Sequence, residues 1–417
     1  MPMIQTQNVP KLRLPGFEGE WETMSLYQLS NSGFNNGVFN DPQNVGSGYK
    51  LINVKDMFTS AGIKTEGLSF LNITEKEFKK NKVEHGDIFF TRSSLVKEGI
   101  AFSNVFLSQD EDVTYDGHLI KMSPDTSKLF PLFGFYSLRT TYARRQLVAR
   151  GKTTTMTTIG QDDISKTNLS TPTLPEQRKI ASFLGAVDKK IAHLSRKKAL
   201  LEDYKKGCMQ QLFSQKIRFK DDDGKDFPDW EEKRLGEVAE RVRQKNTDLA
   251  LTDVLTNSAI QGIISQSDYF DHDVANAENL DRYTVVQIGD FVYNPRISTT
   301  APVGPIKRNM LRSGVMSPLY DVFRFSSEEN LGFWEQYFRA TAWNKYMKQV
   351  ANYGARHDRM AISSSDFFCM PLPYPNPPEQ RKIADFLSAL DRKIDLVAQE
   401  LTHARSFKAG LLQQMFV

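Results

Sequence analysis

The chain has 417 residues, which is too long for one ordinary domain and predicts two or three. Hydrophobic residues make up 40% of the sequence and aromatic residues 11%, so the composition excludes a largely disordered protein. The 54 basic and 50 acidic residues leave a net charge of +4, which is too small to indicate a partner by itself.

Cysteine usage and hydropathy indicate where the protein resides. Cys208 and Cys369 form no disulfide or zinc-binding pattern and suit a reducing compartment. The polar N-terminus lacks the apolar run of a signal peptide, and no stretch of 18 apolar residues could span a bilayer. We therefore expect a cytoplasmic protein without a membrane partner.

The first predicted element in chain order is a globular domain over residues 1–174. Short apolar runs at 83–90 and 119–122 are bounded by turn residues and predict strands, and an aromatic-rich stretch near 132–149 predicts one helix. Two polar stretches carry side chains that could hydrogen-bond to base edges, with an ordinary polar loop as the alternative for each. Their residues are Arg92, Ser93 and Ser94 in the first stretch, and Lys152, Thr153, Thr154 and Thr155 in the second.

The next predicted element is a long helix over residues 175–214. Pro175 at the first position and Glu176 in the first turn are typical of a helix start. Apolar residues then recur at alternating steps of four and three, the spacing of a coiled-coil seam rather than of a helix that merely covers a core. The predicted seam residues are Ile180, Leu184, Val187, Ile191, Leu194 and Leu201.

The rest of the chain repeats this arrangement, with a second globular domain at 215–377 and a second helix at 378–417. Between 175–214 and 378–417, 18 of 40 positions are identical at a shift of 203 residues, beginning with the shared segment Pro-Glu-Gln-Arg-Lys-Ile-Ala. The same shift relates Gly86-Asp87 to Gly289-Asp290 and Gly151 to Gly354, although most residues between these glycines differ. The second predicted seam consists of Ile383, Leu387, Leu390, Ile394, Val397 and Leu401.

The duplication predicts the fold class. We expect an α/β (α+β) protein in which two pseudo-symmetric globular domains are separated by two long antiparallel coiled-coil helices. Antiparallel pairing is favoured because a domain of 163 residues lies between the helices, so nothing forces a tight parallel return.

Basic residues are concentrated in three runs without acids, between Asp125 and Asp162, between Asp290 and Asp321, and between Glu335 and Asp358. A solvated basic face is the alternative for any single run, but runs at equivalent places in both copies indicate a polyanion, since lysine and arginine neutralise phosphates. Together with the polar stretches, the candidate DNA-binding residues are Arg139, Arg144, Arg145, Arg150, Arg296, Lys307, Arg308, Arg312, Lys345, Lys348, Arg356, His357 and Arg359.

Three short motifs resemble catalytic ones and fail on inspection. Gly151-Lys152-Thr153 lacks the earlier glycine of a phosphate-binding loop, since Gln146 stands there. The segment 376–379 has Glu379 where an adenine methyltransferase needs an aromatic residue. The acids at 229–232 are too close in sequence to converge from separate strands on a nuclease metal. We predict no catalytic centre and no metal site.

Two variable domains, each followed by Pro-Glu-Gln-Arg-Lys-Ile-Ala and a heptad helix, resemble the specificity subunit of type I restriction–modification systems over essentially the whole chain. The opening Leu-Pro-Gly-Phe-Glu-Gly-Glu-Trp at 14–21 is similar to the staphylococcal, Gram-positive form, which implies a bacterial protein. The resemblance implies that each domain is a target-recognition domain for one half of a bipartite site in double-stranded DNA. The helices would set the spacer between the halves.

The resemblance also implies partners. Two methylation subunits would dock on the helices, and restriction subunits would supply translocation and cleavage. The assembled complex would then be an adenine-N6 methyltransferase and ATP-dependent endonuclease, with S-adenosylmethionine, ATP and Mg²⁺ bound by the partners and no cofactor on this chain. The alternatives are a stand-alone DNA methyltransferase or nuclease, which the failed motifs disfavour, and a coiled-coil adaptor without a nucleic-acid role, which the basic runs disfavour.

Overall fold

The computed structural model describes residues 8–59, 62–269, 277–352 and 358–417. The chain divides into two compact units. The first comprises Met1–Arg196 and Ala398–Val417, and the second comprises Lys197–Val397. Each unit therefore contains one β-rich domain together with portions of two long helices.

In the described part of the first unit, the α-helices before the first long helix are α1 (Glu75–Asn81), α2 (Pro131–Ser137), α3 (Thr141–Arg150) and α4 (Gln161–Ser165). The first long helix is α5 (Leu174–Phe213), of which the part up to Arg196 belongs to this unit. The strands are β1 (Glu22–Ser25), β2 (Ser30–Asn36), β3 (Val45–Ile52), β4 (Ser69–Leu71), β5 (Ile88–Thr91), β6 (Ser93–Ser94), β7 (Ser103–Val105), β8 (Val113–Tyr115), β9 (Leu119–Pro124), β10 (Lys152–Thr153), β11 (Thr157–Thr158) and β12 (Asn168–Thr171).

In the second unit, the helices are α6 (Leu235–Val238), α7 (Gln266–Tyr269), α8 (Leu331–Arg339), α9 (Asn344–Val350), α10 (Ser364–Phe368) and the long α11 (Pro377–Gln414). The strands are β13 (Glu231–Arg234), β14 (Ala239–Arg241), β15 (Leu255–Ser258), β16 (Gly262–Ser265), β17 (Thr284–Val286), β18 (Phe291–Tyr293), β19 (Ile306–Arg308), β20 (Gly314–Met316), β21 (Asp321–Phe325) and β22 (Pro371–Tyr374).

The same sheet order recurs in the two units. The first has a four-stranded antiparallel sheet in the order β2-β9-β5-β7, and the second has one in the order β14-β21-β18-β19. Each unit also joins its opening strand to the strand before its long helix, β1 to β12 and β13 to β22. The main core of the first unit contains side chains from β5 and from helices α2 and α3. The main core of the second unit contains side chains from β18 and from helices α8 and α9.

The Gly-Asp pair that the two units share lies in the turn that leads into β5 in the first unit and into β18 in the second. Gly86 and Gly289 have φ values of 99° and 96°, in the left-handed region that favours glycine. A carboxylate oxygen of Asp87 accepts from the Glu84 backbone N–H at 2.8 Å, and Asp290 accepts from Gln287 N–H at 2.7 Å. The duplicated pair is therefore explained by turn geometry.

The aromatic-rich stretch near 132–149, predicted as one helix, is broken into two helices, and the corresponding stretch of the second unit is broken in the same way. In the first unit α2 ends at Ser137 and α3 begins at Thr141, because the Thr140 hydroxyl accepts from Ala143 N–H and caps a new helix. In the second unit the break between α8 and α9 is held by the Trp343 indole N–H, which donates to the carbonyl of Ala340.

The shared Pro-Glu-Gln segment anchors each long helix to its own domain. Arg13 donates from two nitrogens to both carboxylate oxygens of Glu176, and Arg218 does the same with Glu379. The two glutamates are 1% and 0% exposed. A buried carboxylate held by a bidentate arginine must keep its partner, so the segment has a structural role in both copies.

Within each unit the two long helices run antiparallel. In the first, Leu411 and Met415 of α11 share a core with Ile180 and Leu184 of α5, and Lys408 pairs with Asp188. In the second, Met209 and Leu212 of α5 share a core with Ile383 and Leu387 of α11, and Lys205 pairs with Asp391. All twelve predicted seam residues are buried or half-buried. The predicted fold class, mixed helix and sheet with two long antiparallel helices, is confirmed.

In the described part of the chain, no helix combines the length and the apolar character needed to cross a bilayer.

Candidate nucleic-acid interface

A small three-stranded sheet in the first unit brings the two predicted base-contacting stretches together. Its order is β10-β11-β6, so β11 lies between the stretch at 152–155 and the stretch at 91–94. Thr157 pairs with Ser94 on one side and with Thr153 on the other, and Thr158 pairs with Ser93 and Lys152. Stretches about sixty residues apart in sequence thus form one surface.

This surface is open to solvent and polar. Arg92, Lys152, Thr153, Thr154 and Thr155 are exposed, and Ser93 and Ser94 are half-buried. The Lys152 ammonium lies 3.5 Å from Asp163 and its side chain remains 78% exposed, so this contact holds it only weakly. The arrangement offers hydroxyl donors and acceptors beside cations, the chemistry that contacts bases and phosphates.

Gly151 permits the close approach of the strands in this sheet. A Cβ at this position would lie 2.8 Å from the Cγ2 atom of Thr157 and 3.2 Å from that of Ile100. A residue with a Cβ would force the Thr157 methyl group or the backbone of β10 to shift. Tight packing thus favours glycine at this position in the first copy, while its counterpart Gly354 lies outside the described residues.

In the second unit, the corresponding two segments are joined by an isolated β-bridge instead of paired strands. Arg296 forms an antiparallel bridge with Arg359, and Ile297 N–H donates to the Asp358 carbonyl at 3.0 Å. Arg296 is exposed, whereas Arg359 is half-buried with its guanidinium 3.6 Å from Asp358. The predicted contacts Arg356 and His357 lie outside the described residues.

Three arginines of the first basic run bind within the domain, which differs from the prediction of phosphate contacts. The guanidinium carbon of Arg139 lies 4.3 Å from the ring centroid of Phe135 and 4.9 Å from that of Phe102, and burial lowers the pKa of Arg139. Arg144 donates to the carbonyls of Glu98, Ile100 and Ala101, and burial lowers its pKa as well. Arg150 donates to two further carbonyls. Because these donors are used internally, we leave all three out of the proposed interface.

Position 145 behaves differently from its neighbours. Arg145 is exposed on α3, and Lys348, its equivalent at the shift of 203 residues, is exposed on α9 together with Lys345. No ion pair to Arg145 or Lys348 is formed by the residues described in the structure. The two units therefore present a cation at the same place.

The run after β18 is mostly engaged with acids or partly buried. The Arg308 guanidinium lies 3.6 Å from Glu335, and Arg312 lies 3.0 Å from Asp253 with about half of its side chain exposed. Burial lowers the pKa of Lys307, and the nearby positive charge of Arg339 lowers it further. Arg312 therefore remains the most accessible of the three.

The sequence places Arg144 among the candidate DNA contacts and does not single out Thr157. In the structure Arg144 holds the turn at 98–101 through backbone carbonyls, and Thr157 pairs with Thr153 of β10 and with Ser94 of β6. The signal available in the sequence was weak, since nothing in a basic run tells which side chains turn back onto backbone carbonyls. Among the described residues, no group of three or more His, Cys, Asp or Glu side chains is arranged to hold a metal ion.

Comparisons with known proteins agree on one family. The family model for the type I restriction modification DNA specificity domain matches twice, at residues 18–203 and 228–404. The MjaX specificity subunit of a type I restriction enzyme from Methanocaldococcus jannaschii is 22% identical over 432 residues, covering 99% of this chain and 96% of that protein.

Solved structures share the fold. The crystal structure of the S subunit of a type I restriction–modification system from M. genitalium matches with a TM-score of 0.58 at 15% identity, covering 98% of this chain and 99% of that one. A structure concerned with complex assembly and conformational transition of the type I system matches with a TM-score of 0.55 at 16% identity, with 98% and 99% covered. With two copies of the DNA specificity domain along its length, the chain belongs to the family of type I restriction–modification specificity subunits.

Proposed function

We propose that each unit recognises one half of a bipartite sequence in double-stranded DNA, and that the chain confers this specificity on a complex whose chemistry resides in other subunits. Family membership supports DNA recognition as the general role. The division into two half-sites follows from the duplication, because two copies of one frame with different surface residues are suited to two different sequences.

One observation carries the proposal. In the first unit, the polar stretch after β5 is hydrogen-bonded to the segment that follows helices α2 and α3. In the second unit, the stretch after β18 is hydrogen-bonded to the segment that follows helices α8 and α9. The side chains at this shared place differ, with serines and threonines in the first unit and Arg296 and Arg359 in the second. A similar backbone placement with different hydrogen-bonding groups is the arrangement expected of two domains that recognise different sequences.

The remaining roles complete the proposal. The cations Arg145 and Lys348 supply phosphate contacts that are independent of sequence. Helices α5 and α11 fix the distance between the half-sites and carry docking surfaces for two methylation subunits, through which restriction subunits join. S-adenosylmethionine, ATP and Mg²⁺ bind to those partners.

The proposal is tested by mapping adenine methylation in cells that carry this chain and a methylation subunit of its system. A bipartite motif is expected. The double substitution Thr153→Ala with Thr155→Ala should relax one half of the motif and leave the other half unchanged, since both hydroxyls lie in the first unit. Arg296→Ala serves as the matched variant and should relax only the opposite half. If either variant altered both halves, separate recognition by the two units would be wrong.

A further inference from the structure

Three exposed apolar side chains lie at one end of the small sheet β10-β11-β6, and this group is called the apolar tip below. Leu95 is 87% exposed, Val96 is 61% exposed and Met156 is 40% exposed. Leu95 and Val96 follow β6 directly, and Met156 precedes β11. Continuing the register of these strands, in which Thr157 faces Ser94, brings position 156 opposite position 95. Three apolar side chains thus share one end of the proposed DNA-binding surface.

The backbone behind the tip is held firmly. The guanidinium of Arg144 donates to the carbonyls of Glu98, Ile100 and Ala101 at 2.6 to 2.8 Å, just after the tip. Ala101 adopts a φ of 50°, which is unfavourable for a residue with a Cβ and persists only where surrounding contacts enforce it. The amide of Val96 donates to the Ser94 hydroxyl at 3.3 Å. A loop fixed in this way keeps its apolar side chains in water instead of folding them back.

The surroundings of the tip indicate which partner covers it. Lys97 is exposed directly after the tip, next to the exposed Glu98, and Arg92 and Lys152 are exposed at the opposite end of the same small sheet. Three of these four charged side chains are basic, so the surface that carries the tip suits a polyanion. The equivalent positions of the second unit, 298 and 299, are occupied by Ser298 and Thr299, so the apolar tip belongs to the first unit alone. An apolar group among cations on a base-reading surface is suited to the apolar parts of DNA bases, such as the thymine methyl group or the faces of a partly opened base step.

We propose that Leu95 and Val96 make apolar contacts with the bases of the half-site recognised by the first unit, and that Arg144 positions the loop that carries them. This inference rests on the proposed function, since it assigns a further specificity-determining contact to the same interface. It predicts that the first half-site is recognised partly through apolar contact, whereas the second is recognised through polar and charged groups.

The test measures binding of fluorescent duplexes to the full chain over a series of salt concentrations. One duplex carries the mapped target, and the other has its first half-site scrambled. Leu95→Ala with Val96→Ala should weaken binding to the target about tenfold, as expected when partly buried apolar groups are truncated. Binding to the scrambled duplex and the slope of affinity against salt should stay unchanged, because no charge is removed.

Two further variants make the result specific. Leu95→Met keeps the apolar contact and should retain most of the wild-type affinity, whereas Lys152→Ala should weaken binding to both duplexes and reduce the salt slope by about one. The inference is overturned if the Leu95 and Val96 variant binds the target like the wild type, or loses affinity equally for both duplexes. Failure of the proposed function looks different, because the wild-type chain would then not distinguish the duplexes at all.

Discussion

The ammonium group of Lys408 lies 2.6 Å from a carboxylate oxygen of Asp188, and Lys205 makes a contact of the same length with Asp391. The two pairs occupy equivalent positions of the duplicated helices, with lysine and aspartate exchanged between α5 and α11. Their other partners differ. Asp188 also accepts from the Tyr136 hydroxyl, whereas Asp391 also accepts from Gln336 and Arg339. Lys205 and Lys408 stand at positions where the heptad spacing calls for apolar residues, and these ion pairs explain why lysine is found there.

Replacing Lys408 and replacing Lys205 should lower the free energy of unfolding by different amounts. Lys408→Met removes the ion-pair partner of the Asp188 carboxylate, which is only 4% exposed, and leaves the charge of Arg139 to act without a direct ion pair among the described residues. This change should lower the free energy of unfolding by about 3 kcal/mol. Lys205→Met leaves Asp391 paired with Arg339 and should cost about 1 kcal/mol or less. Denaturant unfolding of the full chain measures both. Lys198→Met, which breaks an exposed pair with Glu202, is the control and should have little effect. Equal losses at 205 and 408 would contradict the explanation.

The pair at Asp391 should also give the second unit an acid-sensitive contribution to stability. Burial alone would raise the pKa of Asp391, but hydrogen bonds from Lys205 and Gln336 and the charges of Lys205 and Arg339 outweigh it, so the pKa is lowered. A lowered pKa in the folded state means stabilisation above the ordinary aspartate pKa of about 3.9, which is lost as pH falls through the folded value. The stability difference between wild type and Asp391→Asn should therefore narrow below about pH 4. A difference that is constant with pH would contradict this.

Adjacent arginines on α3 should behave differently. Arg144→Ala removes three hydrogen bonds to carbonyls and should lower the free energy of unfolding by about 2 kcal/mol. Arg145→Ala should leave stability unchanged and weaken binding to every DNA sequence, with a salt slope reduced by about one. Thermal unfolding and salt-dependent binding of both variants separate the two roles. A reduced slope with unchanged stability in Arg144→Ala would show that this arginine contacts phosphate.

The helices and the duplication could be predicted from the sequence because both depend on local regularities. The heptad spacing at Ile180 and Leu184 determines which side of α5 is apolar, and the identity of the two Pro-Glu-Gln segments reveals the repeat without any knowledge of the fold. The break between α2 and α3 is not evident in the sequence because the apolar pattern runs through it, whereas in the structure the Thr140 hydroxyl caps the start of a new helix.

The interface could be predicted only in part. The stretches at 91–94 and 152–155 were recognised by their composition, but their union through β11 depends on pairing between distant residues that periodicity does not encode. The directions of Arg139 and Arg144 were not predictable for a similar reason. A run without acids reveals net charge, whereas the carbonyls and aromatic rings that capture a guanidinium come from elsewhere in the chain.

The full chain alone should transfer no methyl group. Incubation with DNA and labelled S-adenosylmethionine should give no labelled DNA, and adding a methylation subunit of the same system should produce label. Substituting Thr153 and Thr155 with alanine in the assembled complex is a useful control, because it should relax one half of the methylated motif without abolishing methylation. Methyl transfer by the chain in the absence of any partner would contradict assignment of the chemistry to other subunits.

Exchange of one domain tests the central claim most directly. The segment 215–377 is replaced by the equivalent segment of a relative with a different target, and adenine methylation is mapped across the genome of cells that carry the chimaera and its methylation subunit. If the two domains recognise their half-sites separately, one half of the bipartite motif should change to that of the relative, and the sequence of the other half should be retained. A motif that changed in both halves, or in neither, would contradict the account.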